Sequence, residues 1–169
     1  MKDDGYLLAI DPATSTGIAI FDLQSEELIE CFTLRSNPKD TWGQRCVDLI
    51  DQFKEVAREH LHHIQIITYE KNKRTSVLVS GLPMVFAMAC PGAVMNDATG
   101  IVPSEWKSYV RRRVDTTYIP VKGIEALEAI HPDWIEAYGV DSEDSADACL
   151  VGLAFLEKRK KGVKKRKAR

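Results

Sequence analysis

Tyr6-Leu7-Leu8-Ala9-Ile10-Asp11-Pro12 opens a set of three strand-like segments near the start of the chain. Gly17-Ile18-Ala19-Ile20-Phe21 is the second, and Leu28 to Leu34 the third. Turn-forming stretches, Pro12 to Thr16 and Leu23 to Glu27, separate them, and spacing this close predicts an antiparallel meander. From Thr41 to His60, apolar residues recur at helical spacing (Val47, Leu49, Ile50, Phe53, Val56, Ala57), with Thr41 placed as N-cap. Ile64-Gln65-Ile66-Ile67-Thr68-Tyr69-Glu70 is rich in β-branched residues and reads as a central strand ending at Glu70.

Beyond it, Ser76 to Cys90 reads as a mostly apolar helix that Pro83 would bend. Ala93 to Met95 reads as a short strand, and Pro103 to Arg113 and Val121 to Ile130 as helices. The last helix is expected from about Ser142 to Lys160, with Ala146, Cys149, Leu150, Leu153, Ala154 and Leu156 toward the core. Meander first, alternating elements after: this order predicts an α/β fold with a mixed sheet flanked by helices, antiparallel in its first three strands and parallel beyond.

The chain has 169 residues, 44% hydrophobic and 28% charged, the size and balance of one soluble domain. Its longest apolar stretch, Val77 to Pro91, is interrupted by Ser80, Gly81 and Pro83, so no membrane span is expected. Met1-Lys2-Asp3-Asp4 has no signal-peptide character. The cysteines (Cys31, Cys46, Cys90, Cys149) contain no Cys-x-x-Cys pair, so reduced thiols and a cytoplasmic location are expected. His60, His62 and His63 have no cysteine beside them and read as a polar helix end. The net charge of −2 hides a split: residues 157–169 hold nine Lys or Arg and one Glu, leaving 14 basic and 24 acidic residues before them. Residues 1–156 therefore form the expected body, and 157–169 a basic, flexible tail of the kind that neutralises nucleic-acid phosphates.

Four acids occupy chemically telling positions. Asp11 ends the first strand, Glu70 ends the fourth, and Asp144 and Asp147 start the last helix three residues apart, on one face. Functional groups gather at the C-terminal ends of parallel strands, and acids in a first helical turn suit the helix dipole. Converging carboxylates repel unless a cation neutralises them. All-oxygen ligands suit Mg²⁺, with Mn²⁺ as substitute, and a pair of such ions can clamp a phosphodiester for hydrolysis. Taken singly, each acid has a plainer reading: a turn residue before Pro12, a helix cap, or a surface ion-pair partner for the basic residues Lys71, Lys73 and Arg74.

Read in order, Leu8-Ala9-Ile10-Asp11-Pro12, Ile67-Thr68-Tyr69-Glu70 and Asp144-Ser145-Ala146-Asp147-Ala148-Cys149-Leu150 resemble the RuvC family of Holliday-junction resolvases, in the ribonuclease H-like superfamily. Pro103-Ser104-Glu105-Trp106-Lys107 looks like the family segment that carries a DNA-contacting lysine, here Lys107, with Lys122 as its basic partner. The resemblance covers the chain to about residue 156. It implies a ribonuclease H-like fold and a homodimer that binds four-way junctions. Each subunit would nick one strand with two metal ions held by Asp11, Glu70, Asp144 and Asp147. Four departures stand out: Ala13 where the family has Gly, Lys73 where it often has an aromatic residue, Arg111-Arg112-Arg113 where it is Gly-rich, and the long basic tail, not typical of bacterial members. The departures and the small size fit a bacteriophage-type member. They leave room for a broader endonuclease acting on flaps or forks. A non-catalytic DNA-binding module would instead rely on the tail (Lys158, Arg159, Lys160, Lys161), Lys71, Lys73, Arg74 and Arg111 to Arg113.

Removing residues 157–169 is expected to weaken DNA affinity and flatten its salt dependence, since phosphate contacts set that slope. An identical slope for the shortened chain, measured by fluorescence anisotropy across a salt series, would show that these residues do not touch DNA.

Overall fold

A computed structural model describes residues 5–71, 77–114 and 122–167. Lys73 and Arg74 lie outside the described residues. The meander forms as expected: β1 (Tyr6–Asp11), β2 (Ser15–Asp22) and β3 (Leu28–Arg35) pair antiparallel, while β4 (Ile64–Glu70) pairs parallel to β1. A two-residue β5 (Gly100–Ile101) completes a sheet of order β3-β2-β1-β4-β5. The short strand expected at Ala93 to Met95 is a single bridge between Ile66 and Val94. β5 has no apolar run of its own; Lys71 N–H donates to the Ile101 carbonyl at 2.7 Å and extends the parallel pairing past Glu70.

The helices divide between the two faces. Leu8, Ile10, Ile18 and Ile20 point to the side covered by α1 (Trp42–Val56) and α2 (Val77–Ala87), where Phe53 meets Phe86 edge to face with ring centroids 5.2 Å apart. Leu7, Ala9, Ala19 and Phe21 point to the other side. That side is covered by α3 (Pro103–Arg111), α4 (Gly123–Ile130), α5 (Pro132–Ala137) and, over the sheet centre, α6 (Glu143–Lys167). β1 is buried on both faces, which is why its sequence is a continuous apolar run without alternation.

Several boundaries differ from the sequence expectation. α1 is capped by Thr41, whose Oγ1 accepts from Gln44 N–H at 3.3 Å, but it ends at Val56 and not His60. Beyond it His60 packs edge-on against Tyr6 and pairs with Glu30 at 3.4 Å, and these tertiary contacts draw the segment into a 3₁₀ turn, Leu61–His63. α2 stops at Ala87, followed by turns; its expected start, Ser76, lies outside the described residues. α5 follows its own N1 proline, Pro132, where a missing N–H costs nothing. The segment expected as a flexible tail continues α6 as helix to Lys167. Its first cations meet acids of the body: Lys158 pairs with Glu105 at 3.0 Å and Lys160 with Glu26. All four cysteines are free, and among the described residues no helix is long and apolar enough to cross a membrane.

The placement of α6 rests on contacts at its first turn. Ser142 Oγ accepts from Ser145 N–H at 3.1 Å, capping the helix, and lies 2.5 Å from Thr33 Oγ1 on β3. Gly17 faces the helix directly, and a Cβ there would collide with the Asp144 carbonyl. Farther along, Gly152 lets α6 settle onto the ring of Phe21. Gly17→Ala is therefore expected to destabilise the protein by about 1–3 kcal/mol, the usual cost of overpacking. The obstacle is backbone and cannot rotate away, so the upper end applies. A urea titration showing an unchanged midpoint would contradict this contact.

Candidate active site at the carboxylate cluster

β1 and β4 are adjacent and parallel, with Ile10 opposite Tyr69, so Asp11 and Glu70 follow as neighbours at the C-terminal ends of two strands. Side chains alternate along a strand, and Asp11 shares the α6 side with Leu7 and Ala9. Opposite Asp11 on β2 is Gly17, the residue that admits the first turn of α6. That contact carries Asp144 and Asp147 over the strand ends. The four acids predicted from sequence are thus brought together.

Their electrostatics show how close this is. Burial, then the charges of Glu70, Asp147 and Asp144, push the Asp11 carboxyl from 3.8 up to about 8. Burial, then Glu70, Glu143 and Asp144, raise Asp147 to about 7, against the opposing charge of Lys107. Asp147 Oδ1 is buried without a hydrogen-bond partner, an unusual condition for a carboxylate oxygen.

Three neighbours of the cluster were not assigned a role from the sequence. The Trp106 indole N–H donates to Glu70 Oε2 at 2.5 Å, fixing that carboxylate in place. Trp106 falls within the helix expected over Pro103 to Arg113; its place beside Lys107 was the available signal. Glu143 Oε2 accepts from Ile124 N–H at 3.1 Å and ties the start of α4 to the start of α6. Gly123 lies against Asp147 Oδ1 and Glu143, where a Cβ would overlap both.

Hard divalent cations take oxygen ligands, and the donor set fits them: four carboxylates, two with raised proton affinity, one with an orphaned buried oxygen. Among the described residues no three Asp, Glu, His or Cys side chains converge into a formed cage for one ion. The arrangement is a loose cluster whose members repel each other.

The basic residues expected to meet DNA fall into two groups. Lys107 lies 5.3 Å from the Trp106 ring centroid and close enough to Asp147 to act on its charge, and Lys122 is exposed just before α4. Lys71, following Glu70, is engaged by Asp97 at 3.1 Å. Arg112, Arg113 and Lys161 gather around Glu157, farther along α6, and Lys158 pairs with Glu105 in the first turn of α3, while Arg111 is exposed at the end of α3. Lys160 reaches Glu26 across the β2–β3 turn, and Arg159 lines a neighbouring cleft with Phe155 and Lys158.

The mixed five-stranded sheet, flanked by helices and ending in acids, is a ribonuclease H-like fold. The structure is similar to "T. thermophilus RuvC in complex with Holliday junction substrate", with a TM-score of 0.62 and 14% identity over 92% of this chain and 96% of that one. A second structure of Thermus thermophilus RuvC matches with a TM-score of 0.61 and 14% identity, over 91% and 96% of the two chains. No protein-family model matches the sequence, and no curated protein matches it. Ala13, where the family pattern has Gly, has no left-handed backbone; its carbonyl accepts from Thr16 Oγ1 at 2.8 Å and closes the β1–β2 turn.

The raised values set a pH dependence. Both carboxyls bind protons more tightly folded than unfolded, so their penalty is absent below about pH 4. It grows until the pH has passed about 7 for Asp147 and about 8 for Asp11. Without divalent ions, Tm is expected to fall as the pH rises through this window. Asp11→Asn should raise Tm at alkaline pH by about 2–4 °C per kcal/mol relieved. A wild-type Tm that is flat across the window, by differential scanning calorimetry, would contradict a buried, mutually repelling cluster.

Proposed function

We propose that this chain is a metal-dependent endonuclease that resolves four-way DNA junctions by phosphodiester hydrolysis. The observation that carries the reading is the convergence of Asp11, Glu70, Asp144 and Asp147 at the strand ends, with a buried, unpartnered oxygen on Asp147. The similarity to a RuvC structure bound to a Holliday junction supports the choice of substrate.

Two Mg²⁺ ions, or Mn²⁺ in their place, would lower the pKa of a bound water and stabilise the departing 3′ oxygen. The four carboxylates would hold them, with Asp147 Oδ1 gaining the partner it lacks within the protein. Trp106 keeps Glu70 in one orientation, so that this ligand is set before substrate arrives. Lys107, whose charge acts on Asp147, would contact a non-bridging oxygen of the scissile phosphate. Hydrolysis adds water across the P–O3′ bond and leaves a 5′ phosphate and a 3′ hydroxyl.

Resolution of a junction requires two symmetric nicks and thus a homodimer. Its interface is assigned here to α2 and the turn that follows it, where Met84 and Met88, four residues apart, are 61% and 82% exposed. A broader specificity for flaps and forks is the second reading, favoured by Lys73 at the position where an aromatic residue would stack on a base.

Cleavage of a four-way junction, a Y-fork and a linear duplex, each with Mg²⁺, Mn²⁺ or EDTA, tests the proposal. Wild-type protein is expected to nick the junction only with a divalent ion. Asp11→Asn is expected to cut at least about 100-fold more slowly while binding DNA normally. Unchanged cleavage by Asp11→Asn would remove the site assignment, and equal cutting of fork and junction would favour the broader enzyme.

A further inference from the structure

Along α3, from its first turn to its end, a groove of about 390 Å³ between it and α6 is lined by Ser104, Glu105, Ser108, Arg112, Glu157 and Lys158, among others. A second groove, about 330 Å³, flanks Glu157 with Arg113, Lys160 and Lys161. Glu157 is the centre of both. Its Oε2 accepts from Arg112 at 2.5 Å and lies 3.2 Å from Lys161 Nζ, while Oε1 accepts from Arg113 at 3.1 Å. Burial pushes its carboxyl up, but the hydrogen bonds from Arg113 and Lys161 and the charges of Arg112 and Arg113 outweigh this and hold it below the usual range.

Three cations on one carboxylate leave two positive charges unneutralised. Each cation is also fixed elsewhere or open to solvent. Arg112 Nη1 donates to Ser108 Oγ at 2.7 Å, Arg113 stacks 3.8 Å from the Tyr109 ring centroid, and Lys161 is 62% exposed. A phosphodiester resembles a carboxylate in what such a site reads: one negative charge on two oxygens, matched to guanidinium forks. Glu157 lies ten residues past Asp147 on one helix, about 15 Å along its axis. On duplex DNA that reaches roughly four base-pair steps.

We propose that these grooves form a second DNA-backbone site, about 15 Å along α6 from the carboxylates, in which Glu157 occupies the place of a phosphodiester and is displaced by it. DNA must therefore exchange with an internal anion to gain this contact. A phosphate delivered by an arm already held at the carboxylates competes well; a random encounter with duplex competes poorly. Glu157 thereby weakens non-specific binding without removing the cations that specific binding uses. This inference rests on the reading that the basic end of the chain contacts DNA.

The test compares Asp11→Asn protein, kept in EDTA so that DNA stays intact, with the same protein carrying Glu157→Gln, Glu157→Ala or the pair Arg112→Ser and Lys161→Ser. Affinity for linear duplex and for a four-way junction is measured across a salt series, with circular dichroism to check folding. Either Glu157 variant is expected to bind linear duplex about tenfold more tightly at low salt, with a slope steeper by about 0.9 for each phosphate gained, and to lose preference for the junction. Arg112→Ser with Lys161→Ser is expected to weaken binding and flatten the slope. If that pair weakens binding while both Glu157 variants behave as the parent, the exchange is wrong and the basic-end reading survives. If the pair changes nothing, both fall.

Discussion

The carbonyl of Asp144 rests against the backbone of Gly17, and nothing larger than a hydrogen fits between them. Gly17 is opposite Asp11 in the β1–β2 ladder, so this contact sets the height at which the first turn of α6 crosses the end of β1. The Ser142 cap and its link to Thr33 fix where the helix starts; Gly152 against Phe21 fixes its tilt farther along. If α6 rode higher, Asp144 and Asp147 would leave Asp11 and Glu70, and the shared site would be lost.

Electrostatics oppose that placement, since four carboxylates are being pressed together. What holds the helix down is apolar burial. Cys149, Leu150 and Val151 are fully buried and Leu153 nearly so, and a buried aliphatic side chain contributes about 1.5–3 kcal/mol. The core therefore maintains a site that is destabilised in isolation, and protons on Asp11 and Asp147 relieve part of the repulsion near neutral pH. Such a site has a standing preference for cations. At the other end of α6 the signs reverse: Glu157 sits among Arg112, Arg113 and Lys161, and the surplus is positive. One long helix thus joins an acidic end to a basic one.

The meander, the central strand and the four acids were legible because each depends on local pattern. Apolar runs of strand length, β-branched content and acids at element ends are visible without knowing what packs where. The N-cap of α1 was legible for the same reason. What stayed hidden depends on contacts between distant segments. β5 is two residues recruited by Lys71 and carries no periodicity. Nothing local marks Trp106 as a partner of Glu70 until α3 aims its N–H there. Gly17 is unremarkable in a strand until a helix end lands on it. The pairing of the basic end was hidden for the same reason: Lys158 and Lys160 meet Glu105 and Glu26, acids of the body that are far from them in sequence.

The four carboxylates at the strand ends are proposed to hold divalent cations. Anomalous diffraction from crystals of the wild-type protein equilibrated with Mn²⁺ tests this most directly. Manganese peaks are expected between Asp11, Glu70, Asp144 and Asp147, and are expected to be lost in Asp11→Asn. Peaks confined to other acids, or persisting unchanged in the variant, would contradict it.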